Sequence, residues 1–113
     1  MITIWHNPRC SKSREALAIL QDAGVDITER RYLEDAPSLE ELKAAREALG
    51  IPVIEMVRVK EALFKVLGLS RDMGDDALLK ALAANPKLIE RPVVFTAEGA
   101  VIGRPPERVR DIL

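Results

Sequence analysis

The amino-acid sequence predicts an α/β fold in the order β-α-β, a helical block, then β-β-α. Three observations predict it. Short strand-like apolar runs stand at both ends, Ile2-Thr3-Ile4-Trp5 near the start and Val93-Val94-Phe95 near the finish. Between them, apolar residues recur at helical spacing with helix start and stop signals. Near the end, Glu98-Gly99 separates two strand-like runs by a turn.

Each element has its own reason. Residues 2–5 alternate as a strand, and Asn7-Pro8 breaks it. From Cys10 to Ala23 the apolar residues Ala16, Leu17, Ile19 and Leu20 share one helical face, and Gly24 stands where a helix C-terminal glycine is expected. Val25 to Tyr32 reads as a second strand, parallel to the first through a right-handed crossover. Ser38-Leu39-Glu40-Glu41 is a capping box that opens a helix ending at Gly50, and Pro52 can start another turn. Glu61 to Leu67 reads as a helix closed by Gly68, and Asp75 to Ala84 as a helix opened by Asp75 and stopped before Pro86. The whole block at about 38–85 is expected to be helical. Residues 92–96 and Ala100-Val101-Ile102 would pair as a hairpin, and Pro105-Pro106 would open a last short helix through Leu113. This is the element order of a thioredoxin-like fold with a helical insertion, and 113 residues are expected to form it as a single domain.

Composition narrows the function. A chain of 113 residues buries about 60–70% of its unfolded surface, so it needs no metal or disulfide staple. Seventeen Lys and Arg against eighteen Asp and Glu give a net charge of −1, which argues against a global grip on nucleic acid. The apolar stretches are too short to span a bilayer, and the first residues lack the basic and hydrophobic regions of a signal peptide. One cysteine and one histidine allow neither a disulfide framework nor the usual zinc sites. A cytoplasmic protein without metal or bound cofactor is expected, in contact with neither nucleic acid nor membrane.

The single cysteine is the chemical lead. Cys10 falls where strand one meets helix one. The first N–H groups of a helix have no intrahelical partners, and the helix dipole is positive there, so a thiolate is favoured. The same N–H groups would bind an incoming oxyanion. Lone cysteines are most often buried small hydrophobes. Pro8-Arg9 before Cys10 and Ser11-Lys12-Ser13-Arg14 after it are not a core environment, and they favour the reactive reading. Cys10-Ser11-Lys12-Ser13 is C-x-x-S, so no second thiol can resolve a mixed disulfide within the chain. Electrons for any redox chemistry at Cys10 must arrive from a small thiol or a partner protein.

The segment His6-Asn7-Pro8-Arg9-Cys10-Ser11-Lys12-Ser13-Arg14 resembles the active-site loop of the glutaredoxin-dependent arsenate reductases, the ArsC family. Arg58 with the run Glu61 to Leu69 resembles that family's mid-chain arginine and following helix. Leu88-Ile89-Glu90-Arg91-Pro92 resembles its "LI-x-RP" segment, and Gly103-Arg104-Pro105-Pro106-Glu107 its final "RP" segment. The resemblance covers the whole chain with its motifs in order. It implies a thioredoxin-like fold and arsenate reduction to arsenite, with glutathione as co-substrate, glutaredoxin as partner and a role in arsenical resistance. It implies that Cys10 is the nucleophile, that Arg58, Arg91 and Arg104 hold the oxyanion, and that Pro92 is the cis-proline facing the thiol. Some better-known members extend past the last helix, whereas this sequence stops at Leu113. A monomer is expected.

Physical chemistry supports part of this independently. At an effective dielectric near 20, a guanidinium ~7 Å from a unit anion contributes about 2 kcal/mol before screening. Arginine suits a tetrahedral oxyanion because its fork engages two oxygens at once. Arg91 and Arg104 each precede a proline and flank the expected hairpin, whose pairing brings them to one edge. That edge faces the Cys10 turn if strand three neighbours strand one. Arg58 rests on the resemblance. His6 could end a strand as a plain polar residue, or support the thiolate and shuttle a proton. Asn7 could shape the turn. Ser11 and Ser13 can donate to a thiolate or an oxyanion, although serines at a helix start usually cap. Trp5 reads as core.

Two other functions fit a lone reactive thiol in this fold. One is a redox-sensing regulator similar to Spx, binding RNA polymerase; such proteins carry C-x-x-C, and Ser13 argues against it. The other is a glutathione-linked thiol-disulfide oxidoreductase, which would need no arginine pocket.

Overall fold

The computed structural model describes residues 1–113, which form two compact units, Met1–Asp35 with Arg91–Leu113, and Ala36–Glu90. The first unit holds a four-stranded sheet in the order β2-β1-β3-β4, with β1 Ile2–Trp5, β2 Ile27–Arg30, β3 Val93–Phe95 and β4 Ala100–Ile102. β1 runs parallel to β2 and antiparallel to β3, and β3 pairs antiparallel with β4. With helix α1, Ser11–Asp22, crossing between β1 and β2, this unit has the thioredoxin-like topology.

Strand alternation decides which side chains meet α1. Ile2 and Ile4 point to the same face, with Val94 opposite Ile4 and Val101 opposite Val94. They bury against Ala16 and Leu20 of α1 and Val109 near the C-terminus, flanked by Leu17, Ile19, Val25, Ile27 and Ile112. Full burial of each large aliphatic residue there contributes roughly 1.5–3 kcal/mol. The same alternation carries the next even position, His6, toward the start of α1, and the His6 N–H extends the ladder by donating to Arg30 O at 2.7 Å.

The strand expected over Val25–Tyr32 is shorter, Ile27–Arg30. At its start, Gly24 at φ 72 closes α1, with its N–H on Gln21 O. At its end, the chain turns back as Glu34 and Asp35 N–H both donate to Arg31 O. The last helix is a 3-10 helix, Pro106–Ile112, packed on α1 through buried Val109.

The second unit carries α2 Leu39–Leu49, α3 Ala62–Val66 and α4 Asp75–Ala84. Ser38 and Glu41 form the expected capping box, and Gly50 ends α2 at φ 65. α2 packs on α4 with Leu42, Ala45, Leu78, Leu79 and Leu82 buried, and Arg46 meets Asp75 at 3.0 Å. Gly74, not Asp75, is the cap of α4; Asp75 and Asp76 occupy its first turn, where negative charge suits the dipole. The block is not wholly helical. Beyond 3-10 turns at Val53–Met56 and Pro86–Leu88, Val57 and Ile89 form an antiparallel bridge. No helix in the chain is long and apolar enough to cross a membrane.

Candidate active site

The site grows from the turn that follows β1. Cys10 N–H donates to Asn7 O at 3.0 Å, and Arg9 N–H to Asn7 Oδ1 at 3.0 Å, so Asn7 shapes the turn with both backbone and side chain. Arg14 reaches back from α1, and its Nη1 donates to Pro8 O at 2.9 Å. Cys10 is left as the N-cap residue of α1 in extended conformation, φ −94 and ψ 122. Its side chain is about nine-tenths buried, more enclosed than its polar neighbours in sequence imply.

Burial alone would raise the Cys10 thiol pKa. Backbone N–H groups of Ser13 and Lys12, bonding to the sulfur, and the Arg91 guanidinium, by charge and by hydrogen bond, more than offset this and hold the thiol below its ordinary value of 9.0. Helix-terminal N–H groups and an arginine therefore converge on one sulfur, the arrangement that stabilises a thiolate and can also receive an oxyanion.

Arg91 reaches this site because β3 lies beside β1. Arg104 arrives from the far end of the hairpin, and its Nη1 donates to Arg91 O at 3.2 Å. Gly103 N–H donates to Pro92 O at 2.9 Å, joining the same two segments. Both Arg91–Pro92 and Arg104–Pro105 are cis peptide bonds. The cis bond at Pro92 agrees with expectation; the one at Pro105 went unanticipated, since sequence shows only that a proline is present.

Gly103, to which the sequence assigns no role, packs closely against the Pro92 segment. A Cβ there would lie 3.0 Å from Pro92 Cγ, 3.1 Å from Val109 Cγ1 and 3.5 Å from Ala16 Cβ. The glycine immediately before Arg104-Pro105 was the available signal.

His6 and Ser13 are both buried, and His6 Nδ1 lies 2.7 Å from Ser13 Oγ. Ser13 Oγ also accepts from Asn7 N–H at 3.0 Å. The Ser13 hydroxyl thus ties α1 to the end of β1, while its backbone N–H serves the sulfur. Burial chiefly, with Arg31 and Arg14, pushes the His6 pKa below 6.5 against the opposing pull of Glu29. A neutral imidazole accepting the serine proton at Nδ1 and carrying its own on Nε2 fits this geometry. Ser11 is exposed at the first position of α1, and Lys12 is exposed and 3.7 Å from Glu15. Trp5 is core, 4.9 Å from the ring of Phe95.

Cys10, His6, Ser13, Arg91, Pro92 and Arg104 all belong to the first unit. Arg58 belongs to the second. There its Nη2 meets Glu61 Oε2 at 3.3 Å, and its Nη1 donates to Lys87 O at 3.2 Å. No group of three or more His, Cys, Asp or Glu side chains with metal-binding geometry forms.

Known proteins share both sequence and structure with this chain. Residues 5–112 match the ArsC family model. A protein named arsenate reductase from Neisseria meningitidis serogroup A is 45% identical, over 99% of this chain and 97% of its own length. A protein from Escherichia coli strain K12 named uncharacterized protein YfgD is 43% identical, over 99% and 96%. The solved arsenate reductase from Vibrio cholerae is 50% identical and superposes with a TM-score of 0.95, covering 99% of this chain and 97% of that one. A family match along almost the full length, with the cysteine turn and the Arg-Pro segments in order, makes this chain a member of the ArsC family.

Proposed function

We propose that this protein is an arsenate reductase that uses Cys10 as its single nucleophile and draws its electrons from glutathione and glutaredoxin. The observation that carries the reading is the convergence on Cys10 Sγ of the Ser13 and Lys12 N–H groups and the Arg91 guanidinium. That environment favours the thiolate over the thiol and sets donors for a tetrahedral oxyanion beside it. Arg91, Arg104 and Arg58 are the proposed ligands of arsenate, with Pro92 shaping the wall and His6 and Ser13 fixing the helix start.

The thiolate attacks arsenic(V), an oxygen leaves as water after protonation, and a Cys10–S–As(V) adduct forms. Glutathione thiolate then attacks the Cys10 sulfur. The S–As bond breaks, its electron pair stays on arsenic, and arsenite departs. Arsenic gains two electrons, and the two thiols lose two in forming the Cys10–glutathione disulfide. Ser13 stands where a resolving cysteine would be, so a glutaredoxin thiol removes the glutathione and regenerates Cys10. Phosphate fits the same donors but is not reduced by thiols, so it acts as a competitor.

The test is arsenite formation by the purified chain with glutathione and glutaredoxin. Cys10→Ser abolishes turnover and keeps phosphate binding. Turnover surviving in that variant, or arsenate reduction absent in the parent protein, overturns the reading.

A further inference from the structure

Glu61 has no part in the reaction as described, yet it sits at the centre of a charge cluster in the second unit. The chain enters the cluster through Arg58, whose N–H donates to Leu88 O at 2.8 Å beside the Val57–Ile89 bridge. A tight turn follows, with Glu61 N–H on Arg58 O at 3.0 Å, and it returns the Glu61 carboxylate over its own cation. One carboxylate oxygen, Oε2, lies 3.3 Å from Arg58 Nη2; the other, Oε1, lies 3.3 Å from Lys87 Nζ. The Lys87 carbonyl accepts from Arg58 Nη1 at 3.2 Å.

An exposed i,i+3 pair would be worth little. This one differs in burial and in geometry. The Glu61 side chain is 16% exposed and that of Arg58 22%, whereas Lys87 is 62% exposed. The two terminal nitrogens of Arg58 are each held by a separate partner. The hydrogen bond to Lys87 O uses one N–H of Nη1 and the ion pair with Glu61 faces Nη2, so a guanidinium with five N–H groups keeps donors to spare for a ligand. A long side chain ordered in advance loses less entropy when an anion arrives.

We propose that Glu61 is the positioning residue of Arg58: its carboxylate holds the guanidinium fork for the oxyanion and, through its charge, sets how tightly that oxyanion binds. The inference rests on reading Arg58 as an oxyanion ligand. Glu61 lowers the summed charge of Arg58, Lys87 and itself from +2 to +1. It thereby weakens the pull on a divalent anion in exchange for an ordered fork. Glu61→Gln separates the two effects, because its amide oxygen still accepts from Arg58 while the charge is gone.

The experiment is calorimetric titration of inorganic phosphate into the reduced full-length chain, comparing the parent, Glu61→Gln, Arg58→Ala and the double variant. Glu61→Gln is expected to bind phosphate about five- to tenfold more tightly. In the Arg58→Ala background the same change is expected to tighten binding by a clearly smaller factor, because only the charge effect is left. Arsenate KM should fall by the same factor with kcat unchanged. Lys87→Met, at an exposed position, leaves Glu61 wholly to Arg58 and should weaken phosphate binding about two- to threefold. Unchanged or weaker binding by Glu61→Gln overturns the proposal, as does equal tightening with Arg58 absent, which would make Glu61 a distant charge only. If Arg58→Ala binds phosphate as the parent does, the assignment of Arg58 as a ligand falls, and this inference with it. If Arg58→Ala weakens binding and Glu61→Gln has no effect, only the role of Glu61 falls.

Discussion

His6 Nδ1 and Ser13 Oγ lie 2.7 Å apart, a buried contact between the end of β1 and the first turn of α1, the helix that Cys10 caps. The serine oxygen also accepts the Asn7 N–H, and with a neutral imidazole bare at Nδ1 its proton is free to go to the ring. The side chain in the fourth position of the C-x-x-S motif is therefore a strut, and its backbone N–H is the part that faces the sulfur. A hydroxyl in that place fastens the helix start at the cost of internal disulfide chemistry.

Ser13→Ala removes the strut and leaves the buried His6 Nδ1 and the part-buried Asn7 N–H without their partner. The expected loss is about 1–3 kcal/mol of unfolding free energy. Urea denaturation measures it. The Ser13 backbone N–H survives the substitution, so the Cys10 thiolate should persist, with a pH profile of alkylation displaced less than in Arg91→Ala. Unchanged stability would show that the hydroxyl is not a strut.

His6 makes stability pH-dependent. Its folded pKa is lowered, chiefly by burial, so the unfolded chain binds more protons below about the ordinary value of 6.5. The His6 contribution is fully present above that value and is lost as pH falls toward the folded pKa. His6→Gln, which cannot titrate, should flatten the stability profile below about pH 6.5 relative to the parent. Denaturation midpoints across that window check this. Identical slopes for the two proteins would mean that His6 does not report burial.

Arg91 and Arg104 make separable contributions. Arg91 lowers the Cys10 pKa by charge and by hydrogen bond, whereas Arg104 bonds to the Arg91 carbonyl. Iodoacetamide alkylation followed against pH should inflect below 9.0 in the parent. The inflection should move upward in Arg91→Ala and by a smaller amount in Arg104→Ala. Both substitutions should weaken phosphate binding. An equal shift of the thiol in the two variants would contradict the geometry.

The elements most legible in sequence were those fixed by local chemistry. Ser38 and Glu41 announce the start of α2, Gly50 and Gly68 mark helix ends, and Cys10 at a strand-to-helix turn declares itself through the physics of helix termini. Arg91 and Arg104 were legible as a pair because two pre-proline residues at opposite ends of one hairpin must meet. What depends on distant partners was not legible. The Val57–Ile89 bridge joins residues far apart in the chain and leaves no periodicity behind. Arg58 is picked out in the sequence only by the resemblance, and its contacts with Glu61 and the Lys87 carbonyl appear only in the fold. The destination of the Ser13 hydroxyl also depends on the fold, since a serine near a helix start has several partners within reach.

Gly103 offers a test that joins stability to the site. Its backbone lies against Pro92, Val109 and Ala16, so an added methyl would fall 3.0, 3.1 and 3.5 Å from their side-chain carbons. The two shorter contacts require a neighbour to give way by a few tenths of an ångström. Pro92 carries the backbone that presents Arg91, and Val109 is wedged in the core under α1, so neither yields freely. Gly103→Ala is expected to destabilise the fold by about 1–3 kcal/mol, the usual penalty for overpacking. Gly103 N–H also pins Pro92 O, so displacement of that segment should disturb Arg91 as well. Phosphate affinity is therefore expected to fall together with stability, read by titration and urea denaturation on the same preparation. A variant as stable as the parent would show that the segment beside Pro92 is looser than these contacts imply, and that Arg91 is held chiefly by its own strand.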